Sequence, residues 1–189
     1  MAELRSDVVA QIQELSTLVG DLVDLAREDA PETVYERVDL AEAVERSLER
    51  ARRRRNEIDF DATLEPWFVY GDQAGLSRAV LNVLDNAAKW SPTGGEVRVV
   101  MRRLGDGLME LTVDDAGPGI PEEDRELVFE RFYRSTVSRS MPGSGLGLAI
   151  VRQVVIKHGG TIGVEVSDRG GALIRIVLPG EPATGIETP

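Results

Sequence analysis

Cysteine is absent from these 189 residues, so disulfides and thiolate metal sites are excluded, and a cytosolic setting fits. No apolar run approaches the ~20 residues that a membrane-crossing helix needs, and the charged N-terminus does not read as a signal peptide. The expectation is a soluble chain. Basic residues are in deficit: 22 Lys and Arg stand against 33 Asp and Glu, a formal net charge of −11. Nucleic-acid backbones are held by clustered cations, so this balance argues against a nucleic-acid partner. It leaves room for a nucleotide, whose few phosphates need only a local cationic pocket. What the chain does have is 42% hydrophobic residues, enough for a true core.

Ile12, Leu15, Val19, Leu22 and Ala26 recur at steps of three and four, with Leu18 and Leu25 widening the stripe. This predicts one long amphipathic helix from about Glu3 to Glu28. So broad an apolar face needs partner helices, which points to one helix of a bundle, quite conceivably an intermolecular one. Pro31 makes continuation costly. Asp39 is a suitable N-cap for a second helix through Leu40, Val44 and Leu48, which runs into the basic stretch Arg50 to Arg55. That stretch reads as a solvated face suited to a helix C-terminus.

Ile58 to Ala62 and Trp67 to Tyr70 predict strands, and Asp72 to Trp90 a helix. Val97 to Met101 and Leu108 to Val113 predict a hairpin across Leu104 to Gly107. Residues 121 to 144 predict a long loop with a short helix inside. Leu146 to Lys157 is helical again, closed by His158, Gly159 and Gly160. Two strands follow, Ile162 to Val166 and Ala172 to Leu178, around the turn Asp168 to Gly171. Residues 181–189 are expected to be a disordered tail. The order implies an α+β fold, a two-layer α/β sandwich of one mixed sheet with helices on one face.

Four features carry chemistry. Asn82 and Asn86 are four apart and Lys89 follows three later, so all three project from one face of their helix. Asn is a poor mid-helix residue unless its amide is used; a carboxamide oxygen is a hard ligand suited to Mg²⁺, and lysine suits phosphate. Alone, such a face would be unremarkable. Asp115, Gly117 and Gly119 follow a strand directly; the glycines permit a sharp turn and close approach of a flat ligand, and the carboxylate can accept from an exocyclic amine. Phe129 to Arg134 leads into a basic loop with Arg139, where aromatics could anchor a lid and Arg131 or Arg134 could reach phosphates. Gly143, Gly145 and Gly147 open into a helix, presenting unpaired N–H groups to an anion. No strand directly precedes them and no P-loop lysine accompanies them, so a dinucleotide-binding or P-loop reading is poor.

In this order the four resemble the ATP-binding catalytic domain of two-component sensor histidine kinases, over about residues 38 to 179. Asn82 to Trp90 looks like that family's N box, Asp115 to Gly119 its first glycine box, Phe129 to Phe132 its F box, and Gly143 to Gly147 its second glycine box. The resemblance implies the Bergerat-type ATP-binding sandwich for residues 31–180, the nucleotide lying under a lid. It also implies that Asn86 ligates Mg²⁺, Lys89 and Arg134 contact phosphates, Asp115 holds the adenine amine and Trp90 stacks on the base. Asn82, Gly117, Gly119, Ile120, Arg131, Gly143, Ser144, Gly145, Leu146 and Gly147 complete the expected ATP site. Residues 1–30 resemble the second helix of the dimerisation and phosphotransfer bundle.

One departure stands out. The family's phosphoacceptor histidine has no counterpart, since the single histidine, His158, reads as a helix-capping residue. The expectations are therefore a cytoplasmic fragment of a membrane-anchored parent, active as a homodimer, unable to autophosphorylate alone. Its partners would be ATP, the histidine-bearing helix of the same or a partner protomer, and a response regulator. Two other readings compete. The gyrase, Hsp90 and MutL relatives of this fold activate water with a glutamate where Asn82 stands, and an amide cannot act as a general base. A non-enzymatic anti-sigma factor or degenerate kinase would not be expected to retain Asn86, Asp115 and the glycines.

Overall fold

The computed structural model describes residues 19–20, 34–135 and 143–183. Most of the long amphipathic helix, the loop around Arg139 and residues 184–189 lie outside the described residues.

Asp39 caps the first helix as its position suggests: its Oδ1 accepts the Glu42 amide at 3.0 Å. This helix, α1, spans Leu40–Arg54 and buries Leu40, Val44, Leu48 and Ala51. Three arginines, Arg52 to Arg54, occupy its last turn, where they complement the helix dipole. They do not stand as a free basic face, because Arg52 pairs with Glu45, Arg53 with Glu49 and Arg54 with Asp85. Helix α2, Gln73–Trp90, starts the same way, with the Asp72 carboxylate accepting the Ala74 amide at 2.9 Å. Helix α3, Gly147–Lys157, follows the second glycine turn.

Strands β1 (Glu36–Asp39), β2 (Asp59–Leu64), β3 (Trp67–Gly71), β4 (Glu96–Gly105), β5 (Leu108–Asp114), β6 (Thr161–Val166), β7 (Ala172–Pro179) and β8 (Glu181–Pro182) complete the elements. Five of them form a mixed sheet in the order β2-β4-β5-β7-β6, with β2 parallel to β4 and every other pair antiparallel. Alternation sorts the two faces. Val97, Val99, Met101, Met109, Leu111, Val113, Ile174, Ile176 and Leu178 join the helices in one core. On the other face Glu110 is almost wholly buried beneath Arg102, 2.6 Å away, and Arg175, which also holds Glu165. The α+β sandwich with helices on one face is thus present.

Two expectations need correction, and one strand went unpredicted. The strand Trp67 to Tyr70 does not join the main sheet; it is the centre of a second, three-stranded sheet, β1-β3-β8. Strand β1 is too short and too polar to signal itself, and it forms because Val38 fills the core opposite Val69. Residues 181 and 182 are not a disordered tail, since Glu181 and Pro182 pair with Phe68 and Trp67, and Glu181 holds Arg37 at 2.9 Å. The described part of 121–144 carries two short 3₁₀ helices, Glu122–Asp124 and Leu127–Phe129, where a long loop with one short helix was expected. None of the described helices is long and apolar enough to cross a membrane.

Candidate nucleotide site

Helices α2 and α3 run antiparallel, as two contacts show. His158 at the end of α3 meets Asp72 at the start of α2, its Nε2 accepting the Asp72 amide at 2.9 Å. At the other end, Asn82 Nδ2 donates to the Gly147 carbonyl, a long bond at 3.4 Å. Beyond Asn82, α2 continues for two more turns, and the second glycine turn runs beside them. A Cβ on Gly143 would lie 2.9 Å from Lys89 Nζ, which places the lysine against the start of that turn. Lys89 Nζ also sits 5.3 Å from the Trp90 ring centroid. The half-buried Asn86 carboxamide makes no hydrogen bond with another described residue.

The first glycine turn reaches the same end of α2. A Cβ on Gly117 would stand 2.8 Å from the Trp90 carbonyl and 3.0 Å from its Cβ, so only glycine lets the two backbones meet. Ser91 Oγ, just past the helix, accepts the Ala116 amide at 3.2 Å. Asp115 is 3% exposed, and its Oδ1 accepts both the Gly117 amide at 2.9 Å and the Ala172 amide at 3.0 Å. Both bonds fall on one oxygen, so the second remains an acceptor. Burial raises the Asp115 pKa above the usual value; the two amide bonds pull it down in part, and neighbouring Asp114 pushes it up. A buried carboxylate held this way is primed to accept from a neutral donor such as an aromatic amine.

The F box closes the second glycine turn from outside. Phe129 is buried, while Phe132 has a positive φ of 64° and donates its amide to the Gly145 carbonyl at 3.0 Å. Gly145, at φ 71°, would put a Cβ 2.9 Å from both Phe132 C and the Tyr133 carbonyl. Tyr133 is anchored in turn by its hydroxyl, which donates to Asp124 at 2.6 Å. Ser144 Oγ accepts the Leu146 amide at 3.2 Å, and Leu146 is fully buried at the head of α3.

Asn86, Lys89, Trp90, Asp115, Gly117, Gly143 and Gly145 are therefore brought together around the C-terminal half of α2. Gly119 packs against the carbonyls of Gly170 and Gly171, with Ile120 following it. Arg131 is engaged elsewhere, and Asn82 is tied to another expected site residue. Arg131 is exposed and donates to Gln153 of α3 at 3.3 Å, and the Asn82 amide is the tie to Gly147. Sequence reasoning placed the β6–β7 turn but missed its part in the site: Gly171 packs on the Asp115 backbone where any Cβ would overlap it, and Ala172 supplies an amide to the carboxylate. The paired glycines 170 and 171 were the available signal.

This arrangement defines a class. Residues 71–182 match the family described as histidine kinase-, DNA gyrase B- and HSP90-like ATPases, and the chain belongs to that family. Within it, the relatives are sensor histidine kinases. The chain is 62% identical over 97% of its length to a signal transduction histidine-protein kinase/phosphatase MprB of Mycolicibacterium vanbaalenii, covering 39% of that protein. It therefore spans about two fifths of the curated relatives it matches. Among solved structures, a mycobacterial sensor histidine kinase MprB superposes with a TM-score of 0.74 at 57% identity, over 79% of this chain and 99% of that one. The ATP-binding domain of PrrB from Mycobacterium tuberculosis gives 0.61 at 34% identity, over 78% of this chain and 98% of that one. Full-length ShkA in complex with AMPPNP gives 0.75 at 28% identity, over 98% of this chain and 40% of that one.

Proposed function

We propose that this chain binds Mg-ATP and positions its γ-phosphate for transfer to a histidine on a helix of the same or a partner protomer, for relay to a response regulator. The observation that carries this reading is the meeting of Gly117 with Trp90. It brings the buried carboxylate of Asp115 to the same end of α2 as Asn86 and Lys89, so base recognition and phosphate recognition share one cleft. Asp115 would accept the adenine amine, with Trp90 beside the base. Lys89, Arg134 and the amides of Gly143 to Gly147 would face the phosphates.

The donor set fits Mg²⁺ as a passenger of the nucleotide. Among the described residues no trio of His, Asp and Glu could hold a metal by itself. Asn86, whose amide is not engaged by other described residues, is the protein ligand, and hard oxygen ligands suit this ion. When bound, Mg²⁺ would neutralise charge on the transferring phosphoryl group. Asn82 separates this chemistry from hydrolysis: an amide cannot take a proton from water, and here it is occupied with Gly147. In the parent protein the reading extends to a dimer anchored at the plasma membrane, this part lying in the cytoplasm.

The test is labelling with γ-³²P-ATP. Alone, the 189-residue chain should form no acid-labile phosphohistidine, because its one histidine is buried and doubly hydrogen-bonded. With a bundle fragment bearing a histidine added in trans, that fragment should be labelled slowly, since tethering and its effective concentration are lost. Release of free phosphate without labelling of the fragment would instead favour the ATPase reading.

A further inference from the structure

We propose that His158 is a positioning residue for the nucleotide site, and that Tyr35 acts on that site through it. The proposal rests on the nucleotide-binding reading above. His158 is 7% exposed and lies at the end of α2 and α3 opposite the nucleotide. The Asp72 amide donates to Nε2 at 2.9 Å, so Nε2 is an acceptor, and Nδ1, 2.7 Å from the Val154 carbonyl, must carry the hydrogen. The ring is thus a neutral Nδ1–H tautomer joining the N-cap of one site helix to the last turn of the other. It occupies the space where a side chain at position 71 would begin, because a Cβ on Gly71 would overlap the imidazole. On its remaining side the ring is stacked by Tyr35, with centroids 5.6 Å apart and planes 24° from parallel.

Tyr35 is the second residue of the described stretch 34–135, and its ring centroid lies 6.2 Å from that of the exposed Tyr70. The path from Tyr35 to the site is therefore short. Tyr35 presses on His158, and His158 holds Asp72, the N-cap of α2. Helix α2 then reaches Asn86 about 20 Å further on, at 1.5 Å per residue. Because α2 and α3 are pinned at His158 and again at Asn82–Gly147, a tilt at one end is transmitted to the other rather than absorbed in a loop. Linkage requires the reverse as well, so nucleotide binding must be felt at the His158 ring.

A single histidine makes this measurable without substitution. With ¹⁵N-labelled histidine, the chain should show one set of ring resonances with the chemical shifts of the Nδ1–H tautomer. Titration with Mg-AMPPNP should move them in step with the Trp90 indole signal. Ring resonances that stay fixed while Trp90 saturates would overturn the coupling. An unmoved Trp90 would instead signal failure of the nucleotide-binding reading itself. In a second arm, Tyr35→Ala should weaken Mg-ATP binding about threefold or more, the range expected of coupling residues, whereas Tyr35→Phe, which keeps the stack, should restore it. Wild-type affinity in Tyr35→Ala would overturn the role of Tyr35.

Discussion

The two ends of the α2–α3 pair are built on opposite plans. At the His158 end the ring nitrogens are both engaged, Asp72 caps its own helix, and an aromatic ring covers what remains. At the Asn86 end the backbone is bent through glycines of positive φ, one carboxamide is not engaged by other described residues, and a carboxylate is held buried with an acceptor to spare. Polar groups that a fold does not satisfy for itself cost stability, so they persist where a ligand completes them. The satisfied end organises; the unsatisfied end is where the proposed nucleotide would sit.

Asp115→Asn should produce the largest break in that comparison. Hydrogen bonds to charged groups contribute about 1.5–3 kcal/mol, so ATP affinity should fall about 10- to 100-fold. Discrimination against GTP should suffer more than triphosphate binding, because a site built to pair one group rejects analogues lacking it. Parallel loss for ATP and GTP, measured by competition with a fluorescent analogue, would remove Asp115 from the base-reading role.

The same substitution should act oppositely on the nucleotide-free protein. Burial raises the Asp115 pKa, so the fold favours its proton more than the unfolded chain does. Its contribution to stability is complete below the ordinary value of 3.8 and is lost as pH rises through the raised folded value. Asp115→Asn, neutral at every pH, should therefore melt higher than wild type at pH 7. The gap should close toward pH 4. A melting temperature below wild type at pH 7 would show that the carboxylate serves the fold as well as the ligand.

Gly145→Ala should be the next largest effect. A Cβ there meets the Phe132 and Tyr133 backbone at 2.9 Å, and φ of 71° is strained for alanine. The expected loss is about 1–3 kcal/mol of stability by thermal or denaturant melting, with nucleotide binding weakened as the F box shifts. Asn86→Ala should be milder for the fold and specific for the ion. Removing the amide should abolish most of the difference between ATP affinity measured with Mg²⁺ and with chelator, leaving melting nearly unchanged. Smallest of all, Arg131→Ala should alter ATP affinity less than about twofold, since its partner is the surface residue Gln153 and exposed contacts are weak. A large loss would restore Arg131 to the phosphate site.

The helices were readable because each is announced locally. Asp39 and Asp72 are strong caps, the apolar steps of three and four have no competitor, and Gly159 and Gly160 end α3. The glycine turns were readable for the same reason, since a backbone that must bend or approach closely admits few residues. Asn86, Lys89 and Asp115 lay inside those local signals. The β1-β3-β8 sheet was not readable: its strands are short, and their partners lie far away in sequence, with β8 only two residues long. Strand pairing is a property of two segments at once, and alternation in one cannot name the other.

The sequence alone determined what most segments are and which chemistry they offer: capped helices, two glycine turns, a carboxylate after a strand, amides on a helix. Tertiary structure decided which of those groups meet. It turned Arg131 toward α3, occupied Asn82 with Gly147, and set Ala172 against Asp115. It also made one histidine, legible only as a helix end, the contact between Tyr35, α2 and α3. The physical reason is range. Backbone conformation responds to neighbours within a few residues, whereas hydrogen-bond partners and burial depend on groups brought together from 57 and 86 positions apart.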